Sequence, residues 1–243
     1  MKRLLKKIRF INGIRRAYVA SRYYNRKYLQ ILRWLRTSRE DTNYTYEITP
    51  ENVMYLASMI AVATGETYET VMGYINEVKH PNAGRRLGWY AFARILKPRT
   101  IIETGVDKGL GSVILCDALR ENNKEGFAGY YWGIDINPQA GELMTDKQRA
   151  YGYIITGDAV ENLKELDHAD LFINDSDHAP AYEAAEYRAV SLSDRAVVLS
   201  DNAHCTNELV KFSILNGRKF LFFKEEPLNH WYPGAGIGIS YKL

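Results

Sequence analysis

RTIIETGVDKGLGS, residues 99–112, is the stretch around which the rest of the sequence is organised. Pro98 breaks the segment before it, and the β-branched run Thr100–Thr104 predicts a short strand. Glycines at 105, 109 and 111 then lead into residues 113–119, whose apolar positions have helical spacing. This order predicts a strand, a tight glycine turn and a helix N-terminus. Such a turn suits a nucleotide, because it brings free backbone N–H groups to the ligand.

The glycine spacing and one carboxylate narrow the kind of ligand. The pattern is G-x-x-x-G-x-G, not the G-x-G-x-x-G of a dinucleotide site. Glu103 stands where the strand ends, which favours a cationic group such as a sulfonium or an amine. We include Thr104 and Ser112, on either side of the glycines, among the expected cofactor-binding residues. A structural glycine turn in some other α/β protein is the alternative.

Length and composition are typical of a globular protein with one main domain and an extension. The chain has 243 residues, of which 46% are hydrophobic and 25% charged. Its two cysteines, Cys116 and Cys205, are far apart and match no metal-ligand spacing, so we expect no disulfide and a reducing, cytoplasmic compartment. No apolar run is long enough to span a bilayer, and the N-terminus lacks the apolar core of a signal peptide.

The net charge of +3 hides a strong asymmetry. Residues 1–36 contain twelve Lys or Arg and no acid, which leaves 20 basic against 29 acidic residues in the rest. The apolar and aromatic positions of this basic arm fall near one helical face, which predicts an amphipathic helix suited to an anionic membrane surface. A helix packed on its own domain or on a second copy is an equal alternative. Residues 37–47 read as a polar linker.

Three helices are predicted before the glycine turn. Thr49 precedes a proline and caps a helix that runs to about Thr64, and Thr67 caps a second helix that runs to about Val78. Residues 87–96 form the third. We therefore divide the chain into a basic arm and helical cap, residues 1–83, and a cofactor-binding catalytic domain, residues 84–243. The first two helices are expected to form a lid or a dimer face.

Strands and helices alternate after the glycine turn, which predicts an α/β fold with a doubly wound, mostly parallel, seven-stranded sheet. The six strands predicted beyond the first cover residues 129–135, 152–156, 170–174, 196–200, 219–224 and 237–241. The last two are joined by residues 225–236, a loop too long for a tight hairpin. Because that loop borders the carboxyl ends of the strands, we expect it to contribute to substrate binding.

Acidic residues lie at two of these strand ends, where they can contact a ligand. Ligands of such sheets bind at the carboxyl ends of the strands. Asp135 ends the second strand, where a carboxylate can accept from both hydroxyls of a ribose, and Asp158 follows the third strand, where it and the Ala159 backbone can address an adenine edge.

The glycine turn with Glu103, the segment GIDINP with Asp135 and the segment GDA with Asp158 together resemble the ordered motifs of class I S-adenosylmethionine-dependent methyltransferases. The resemblance covers about residues 84–243 and implies a Rossmann-like fold. It further implies that the glycine turn holds the methionine part of the cofactor, Asp135 the ribose, and Asp158 with Ala159 the adenine.

The next two strand ends carry further oxygen ligands. ADLFINDSDH ends in Asp175, Asp177 and His178, and AVVLSDNAH ends in Asp201 and Asn202. If the two strands are neighbours, their carboxylates converge on a volume suited to Mg²⁺. The alternatives to a metal site are that Asp201 and Asn202 form an ordinary turn after the strand, and that His178 is a helix-capping or surface residue.

This pair of motifs resembles metal-dependent O-methyltransferases of the catechol and caffeoyl-CoA type and of the macrolide-sugar type. The resemblance implies that Asp175, Asp201 and Asn202 are metal ligands and that His178 is the base. Catechol-type enzymes often have Lys near the base position, so Asp177 competes with His178 for that role, and His204 is a further candidate.

The sequence therefore predicts an enzyme that transfers a methyl group from S-adenosylmethionine to a hydroxyl, with Mg²⁺ lowering the pKa of that hydroxyl. The expected acceptor is a sugar, a glycolipid, or a small polyol or phenol, and the expected assembly is a homo-oligomer. A metal-independent methyltransferase is one alternative. A nucleic-acid-binding or nucleic-acid-modifying protein that uses the basic arm is another, disfavoured because NDSDH stands where base-modifying enzymes carry N-P-P-Y or D-P-P-Y. A methyltransferase-like fold without catalysis is a third.

Overall fold

The computed structural model describes residues 47–80, 82–228 and 234–242. Nine strands lie in that part of the chain, and their bounds are β1 (Glu47–Ile48), β2 (Thr100–Thr104), β3 (Tyr130–Asp135), β4 (Gly152–Thr156), β5 (Ala169–Asn174), β6 (Leu192–Ser200), β7 (Lys219–Lys224), β8 (Pro227–Leu228) and β9 (Gly236–Tyr241). The helices of the same part are α1 (Pro50–Thr64), α2 (Tyr68–Glu77), α3 (Arg86–Leu96), α4 (Leu110–Lys124), α5 (Asp146–Arg149), α6 (Ala159–Leu163), α7 (Pro180–Ala189) and α8 (Glu208–Leu215).

Seven of these strands form one mixed sheet in the order β4-β3-β2-β5-β6-β9-β7. The pairs from β4 to β6 are parallel, and β9 runs antiparallel between β6 and β7. The predicted α/β class and all seven predicted strands are confirmed. A strand that is buried on both faces has a nearly continuous apolar sequence, and the fully buried Ile101 and Ile102 of β2 illustrate this.

Alternate residues of each strand supply two separate hydrophobic clusters, one on each face of the sheet. Ile101, Leu171 and Val197 face the cluster that contains α1, α2, α3 and α4. Ile102, Phe172 and Val198 face the cluster that contains α6, α7 and α8. The helices that precede β2 thus share the core of the sheet, rather than having a core of their own.

The three helices predicted before the glycine turn are confirmed, and the two that belong to the predicted cap begin at the expected capping residues. Thr49 accepts a hydrogen bond from the backbone N–H of Asn52 at 3.2 Å, and Gly65 ends α1 with φ +76°, a left-handed conformation that glycine adopts without strain. Thr67 caps α2 by accepting from Thr70 N at 3.1 Å.

Two short strands correct the sequence interpretation. Glu47, predicted as part of the linker, lies in β1, which pairs antiparallel with β8 inside the predicted loop 225–236. Residues 1–46, with the predicted arm and most of the linker, and residues 229–233 of that loop lie outside the described residues. Among the helices of the described part, none combines the length and apolarity needed to cross a membrane.

Candidate active site

The carboxyl ends of β2 to β6 meet at one edge of the sheet, and the predicted site residues lie there. Hydrogen bonds between neighbouring loops align this edge. Gly105 N donates to Ile134 O at 2.9 Å, Asp175 N donates to Thr104 O at 2.9 Å, and Asp201 N donates to Asn174 O at 2.8 Å. The motifs that are far apart in sequence are therefore neighbours along this edge.

The glycines of the turn are needed because the protein packs against itself there. A Cβ on Gly105, whose φ is +80°, would lie 2.1 Å from the carbonyl oxygen of Asp175. A Cβ on Gly109, with φ +90°, would lie 2.7 Å from Gly141 Cα, and one on Gly111 would lie 2.3 Å from Glu103 Oε1. The sequence argument attributed these glycines to close approach of a ligand, whereas the close approaches seen are to neighbouring backbone and to a buried carboxylate.

Glu103 lies beneath the turn and not at its open side. It is 1% exposed, and its Oε2 accepts hydrogen bonds from the hydroxyls of Tyr131 and Ser112. Burial raises the pKa of Glu103 to about 7, although the Tyr131 hydrogen bond opposes that change. Thr104 and Ser112 are fully buried as well, so none of these three predicted cofactor residues presents its side chain to a ligand.

Asp135 holds the other side of the glycine turn. Its Oδ2 accepts from the backbone N–H groups of Val106 and Asp107, each at 2.8 Å, and its Oδ1 accepts from Asn137 N at 2.8 Å. A carboxylate has about four lone-pair sites, so one remains for a ligand hydroxyl. The next residue, Ile136, is 81% exposed, and it offers an apolar surface beside the site that sequence reasoning missed.

Asp158 and the backbone of Ala159 face one tyrosine hydroxyl. Asp158 Oδ1 caps α6 by accepting from Glu161 N at 3.0 Å, while its Oδ2 accepts from the hydroxyl of Tyr182 at 2.9 Å. The same hydroxyl accepts from Ala159 N at 3.2 Å. Tyr182 lies on α7, and no local motif connected it with the GDA segment, so sequence reasoning missed this contact.

The predicted metal-binding carboxylates do come together. Asp175 and Asp201 follow Asn174 and Ser200, which are paired residues of the adjacent strands β5 and β6. Their carboxyl groups are close enough for each to influence the pKa of the other. Burial, followed by the neighbouring Asp201 carboxylate, raises the pKa of Asp175 well above its ordinary value. Burial alone would also raise the pKa of Asp201, but the guanidinium groups beside it hold that pKa below the usual range.

Two arginines that sequence reasoning missed neutralise these acids. Arg85 Nη2 forms an ion pair with Asp201 Oδ2, and Arg85 Nη1 lies 3.5 Å from Oε2 of the fully buried Glu225. Arg86 Nη2 lies 4.0 Å from Asp175 Oδ2. Arg86 is the first residue of α3, and Arg85 is its N-cap. Their pairing with the acidic strand ends depends on the tertiary fold, so no local sequence signal could have revealed it.

Two more buried carboxylates hold the loops that carry Asp175 and Asp201. Glu186 accepts from Asn174 Nδ2 at 2.6 Å and from Ser176 Oγ at 2.7 Å, on either side of Asp175. Glu183 accepts from Ser200 Oγ at 3.1 Å, next to Asp201, and from Thr206 Oγ1. Both acids lie on α7, so that helix aligns the ends of β5 and β6.

The three candidate bases differ in surroundings. His178 Nε2 lies 2.9 Å from Asn202 Nδ2 and 3.9 Å from Asp175 Oδ1, so this ring adjoins the acidic pair. Asp177 is exposed, and its Oδ1 accepts from Ala179 N at 2.8 Å.

His204 is constrained on both ring nitrogens. Its Nδ1 accepts from Gly236 N at 3.0 Å, and its Nε2 lies 3.7 Å from Cys205 Sγ. Because the Nδ1 lone pair is used, Nε2 carries the proton in the neutral ring. The geometry therefore favours His178 among the three.

The donor set suits a divalent cation only in part. Among the described residues, no cluster of three or more His, Cys, Asp and Glu is arranged for a metal ion. Asp175 and Asp201 nevertheless offer two adjacent carboxylates, and Asn202 offers an amide oxygen, all of them ligand types that Mg²⁺ prefers. Asp201 Oδ1 is buried and has no hydrogen-bond partner within the described ranges. A buried carboxylate oxygen without a donor, beside a second carboxylate, fits a bound cation or a shared proton.

Residues 102–203 match the family model described as "Methyltransferase domain". No curated protein sequence matches the chain. Among solved structures, the precorrin-6y C5,15-methyltransferase from Geobacter metallireducens is 13% identical, with a TM-score of 0.50 over 68% of this chain and 91% of that one. The SAH-bound Podospora anserina methyltransferase PaMTH1 is 18% identical, with a TM-score of 0.47 over 83% of this chain and 100% of that one. The O-methyltransferase from Bacillus cereus in complex with SAH is 14% identical, with a TM-score of 0.47 over 79% and 99% of the two chains.

Proposed function

We propose that this chain, whose residues 102–203 match a methyltransferase-domain model, is a class I, S-adenosylmethionine-dependent enzyme that methylates a hydroxyl oxygen with the help of a divalent cation. The observation that carries the proposal is the convergence of Asp175 and Asp201, both at the carboxyl ends of adjacent parallel strands, beside His178. Methyl transfer to oxygen needs a base and a means of stabilising negative charge on that oxygen. This cluster supplies candidates for both.

The cofactor would lie along the edge formed by the glycine turn, Asp135 and Asp158. Asp135 keeps a lone-pair site for a ribose hydroxyl while it holds the turn, and Ile136 offers an apolar surface for a flat base. Glu103 orients the turn from beneath, since both Tyr131 and Ser112 donate to it. Its part in cofactor binding is therefore support of the turn rather than direct contact.

Asp175, Asp201 and Asn202 would hold Mg²⁺, which lowers the pKa of a coordinated hydroxyl and favours its oxyanion near neutral pH. The acceptor presented there is a sugar, a glycolipid, or a small polyol or phenol. Arg85 and Arg86 balance part of the charge of these acids and of the buried Glu225. When Asp175 is ionised, three carboxylates meet two guanidinium groups, and the cluster then carries a net negative charge that attracts a cation.

His178 would accept the proton of the acceptor hydroxyl. Nε2 is the ring nitrogen of His178 that lies beside Asn202 and Asp175. It would take the proton once the acceptor hydroxyl replaces Asn202 as its hydrogen-bond donor. S-adenosylmethionine bound at the glycine turn would supply the methyl group to the deprotonated oxygen, with the C–S bond pair staying on the sulfur of the departing thioether.

One observation favours a second candidate, a metal-independent methyltransferase. Arg85 already forms an ion pair with Asp201, and Arg86 approaches Asp175, so the arginines can stabilise these acids without a metal. In that case the cluster orients the acceptor through hydrogen bonds, and His178 remains the base.

Titration of Mn²⁺ into the SAH-saturated protein, followed by electron paramagnetic resonance, separates the two candidates. The cation-dependent function predicts Mn²⁺ binding that Asp201→Asn abolishes and that Asp177→Asn, a control in an exposed acid of the same loop, leaves unchanged. SAH binding by calorimetry should be nearly equal in all three proteins, because the two ligands use different strand ends. Radiolabelled methyl transfer to a panel of sugars, glycolipids and phenols then tests the acceptor class, and full activity in excess EDTA would leave the metal-independent candidate.

A further inference from the structure

The outer face of α1 carries an apolar stripe. Met54, Tyr55 and Val62 are 55%, 53% and 56% exposed on one side of the helix. The exposed Ser58 lies between Met54 and Val62, and the Tyr55 ring stacks on Phe223 with one face at a centroid distance of 6.1 Å. The opposite side of α1, with Leu56 and Ile60, is buried in the core. Exposed apolar residues grouped along one helix face mark a surface that another segment covers, whereas scattered ones need no explanation.

The surroundings of this stripe are acidic. Residues 47–78 contain five Glu and no Lys or Arg. Three of these acids, Glu51, Glu66 and Glu69, are exposed at the ends of α1 and at the start of α2. Within the described residues, none of the three lies within ion-pair distance of a Lys or Arg side chain. A complementary segment should therefore be both apolar and basic.

Residues 1–36 have that composition. They contain twelve Lys or Arg and no acid, and Leu4, Ile8 and Ile11 recur at the spacing of one helical face. The chain between them and the cap is residues 37–46, which can span about 33 to 36 Å when extended. Since the fifteen residues of α1 are only about 22 Å long, the arm can reach the whole stripe of its own chain.

We propose that residues 1–36 bind the outer face of α1 and α2 of the same chain. The apolar residues of the arm cover Met54, Tyr55 and Val62, and its cations neutralise the exposed glutamates around them. An anionic membrane fits this face less well, because the exposed Glu51, Glu66 and Glu69 would repel it. The short connection gives the arm a high effective concentration at α1, which favours binding within one chain over binding between chains. This interaction goes beyond the proposed function and does not depend on it.

Limited trypsin digestion of the full chain tests the proposal, because the arm contains twelve sites for this protease. Val62→Asp places a charge in the stripe, and Leu215→Asp is the matched control at an 83% exposed position of α8. We expect Val62→Asp to speed cleavage within residues 1–36 about tenfold, since it removes apolar contact and adds a desolvation penalty, and the control to leave the rate unchanged. The double substitution Glu66→Lys and Glu69→Lys should also speed cleavage, through charge alone.

Circular dichroism and SAH binding of each variant establish that the body is folded. Equal cleavage rates in the wild type, Val62→Asp and the charge-reversed protein overturn the proposal. Protection that disappears on dilution also overturns it and assigns the face to the arm of a second copy. Protection seen only with phosphatidylserine vesicles, and not with phosphatidylcholine vesicles, overturns it in favour of membrane binding.

Discussion

Replacing Glu103 by Gln should change how the stability of the protein depends on pH. Burial raises the pKa of Glu103 from 4.5 to about 7, so the folded state favours the protonated carboxyl. A group with a raised pKa stabilises the fold below the pKa it has when unfolded, and this contribution is lost as the pH rises through the folded value. The window for Glu103 is therefore pH 4.5 to 7.

The size of the effect follows from the two pKa values. Each pKa unit corresponds to about 1.4 kcal/mol, so ionising Glu103 in the folded protein costs about 3 kcal/mol in full and between 2 and 3 kcal/mol from about pH 5 to pH 8. That is a large part of the roughly 5 to 15 kcal/mol by which domains are stable. Gln keeps an acceptor for the hydroxyls of Tyr131 and Ser112 but does not ionise.

Urea unfolding at a series of pH values measures this contribution. The free energy of unfolding of the wild type, relative to Glu103→Gln, should fall by about 2 to 3 kcal/mol between pH 5 and pH 8. Glu161→Gln is the control, because Glu161 is an exposed acid, and it should follow the wild type. A wild-type minus Glu103→Gln difference that stays constant across this range would refute the assignment of a buried, raised pKa to Glu103.

Gly105→Ala should lower the melting temperature and abolish SAH binding in calorimetry, because the alanine Cβ would lie 2.1 Å from the carbonyl oxygen of Asp175. If the variant bound SAH as tightly as the wild type does, the turn must be able to relax around the added methyl group. Asp135→Ala should weaken SAH binding at least about tenfold, because it frees the backbone N–H groups that hold the turn as well as the ribose acceptor. Unchanged affinity would remove Asp135 from the site. Arg85→Met should cost about 3 to 5 kcal/mol of stability, since Asp201 and Glu225 lose their buried cation, and it should tighten Mn²⁺ binding; weaker Mn²⁺ binding would contradict the competition between arginine and metal.

Local patterns were enough to predict the seven strands of the main sheet and the helices that precede the glycine turn. The β-branched run Thr100–Thr104 between a proline and a glycine turn, and the capping residues Thr49 and Thr67, act over a few neighbouring residues. Such signals need no knowledge of the rest of the fold. The short strands β1 and β8 were missed for the same reason, since two residues are too few for a period and they exist because they pair with each other.

The site residues that lie at the ends of strands could be predicted from the sequence. Asp175 and Asp201 were expected to meet because parallel neighbouring strands end at one edge, and the structure places them side by side. Glu103 was expected to face a ligand, but the alternation along β2 and the helix that follows the turn put its side chain beneath the glycines. The sequence was enough to identify Glu103 as a candidate site residue, but the direction of its side chain depended on how that helix packs.

The sequence by itself determined which segments become strands and helices, and which strand ends carry acids, because these properties are set by residues close in the chain. Only the tertiary structure decided which charges meet. Arg85 reaches Asp201 across 116 residues and Glu225 across 140, and Asn52 reaches the backbone of Lys224 across 172. These contacts depend on the order of the strands, in particular on β9 entering between β6 and β7, and on the cap helices sharing the core of the sheet. Strand order is the outcome of burying all apolar faces at once, and no local pattern of residues specifies it.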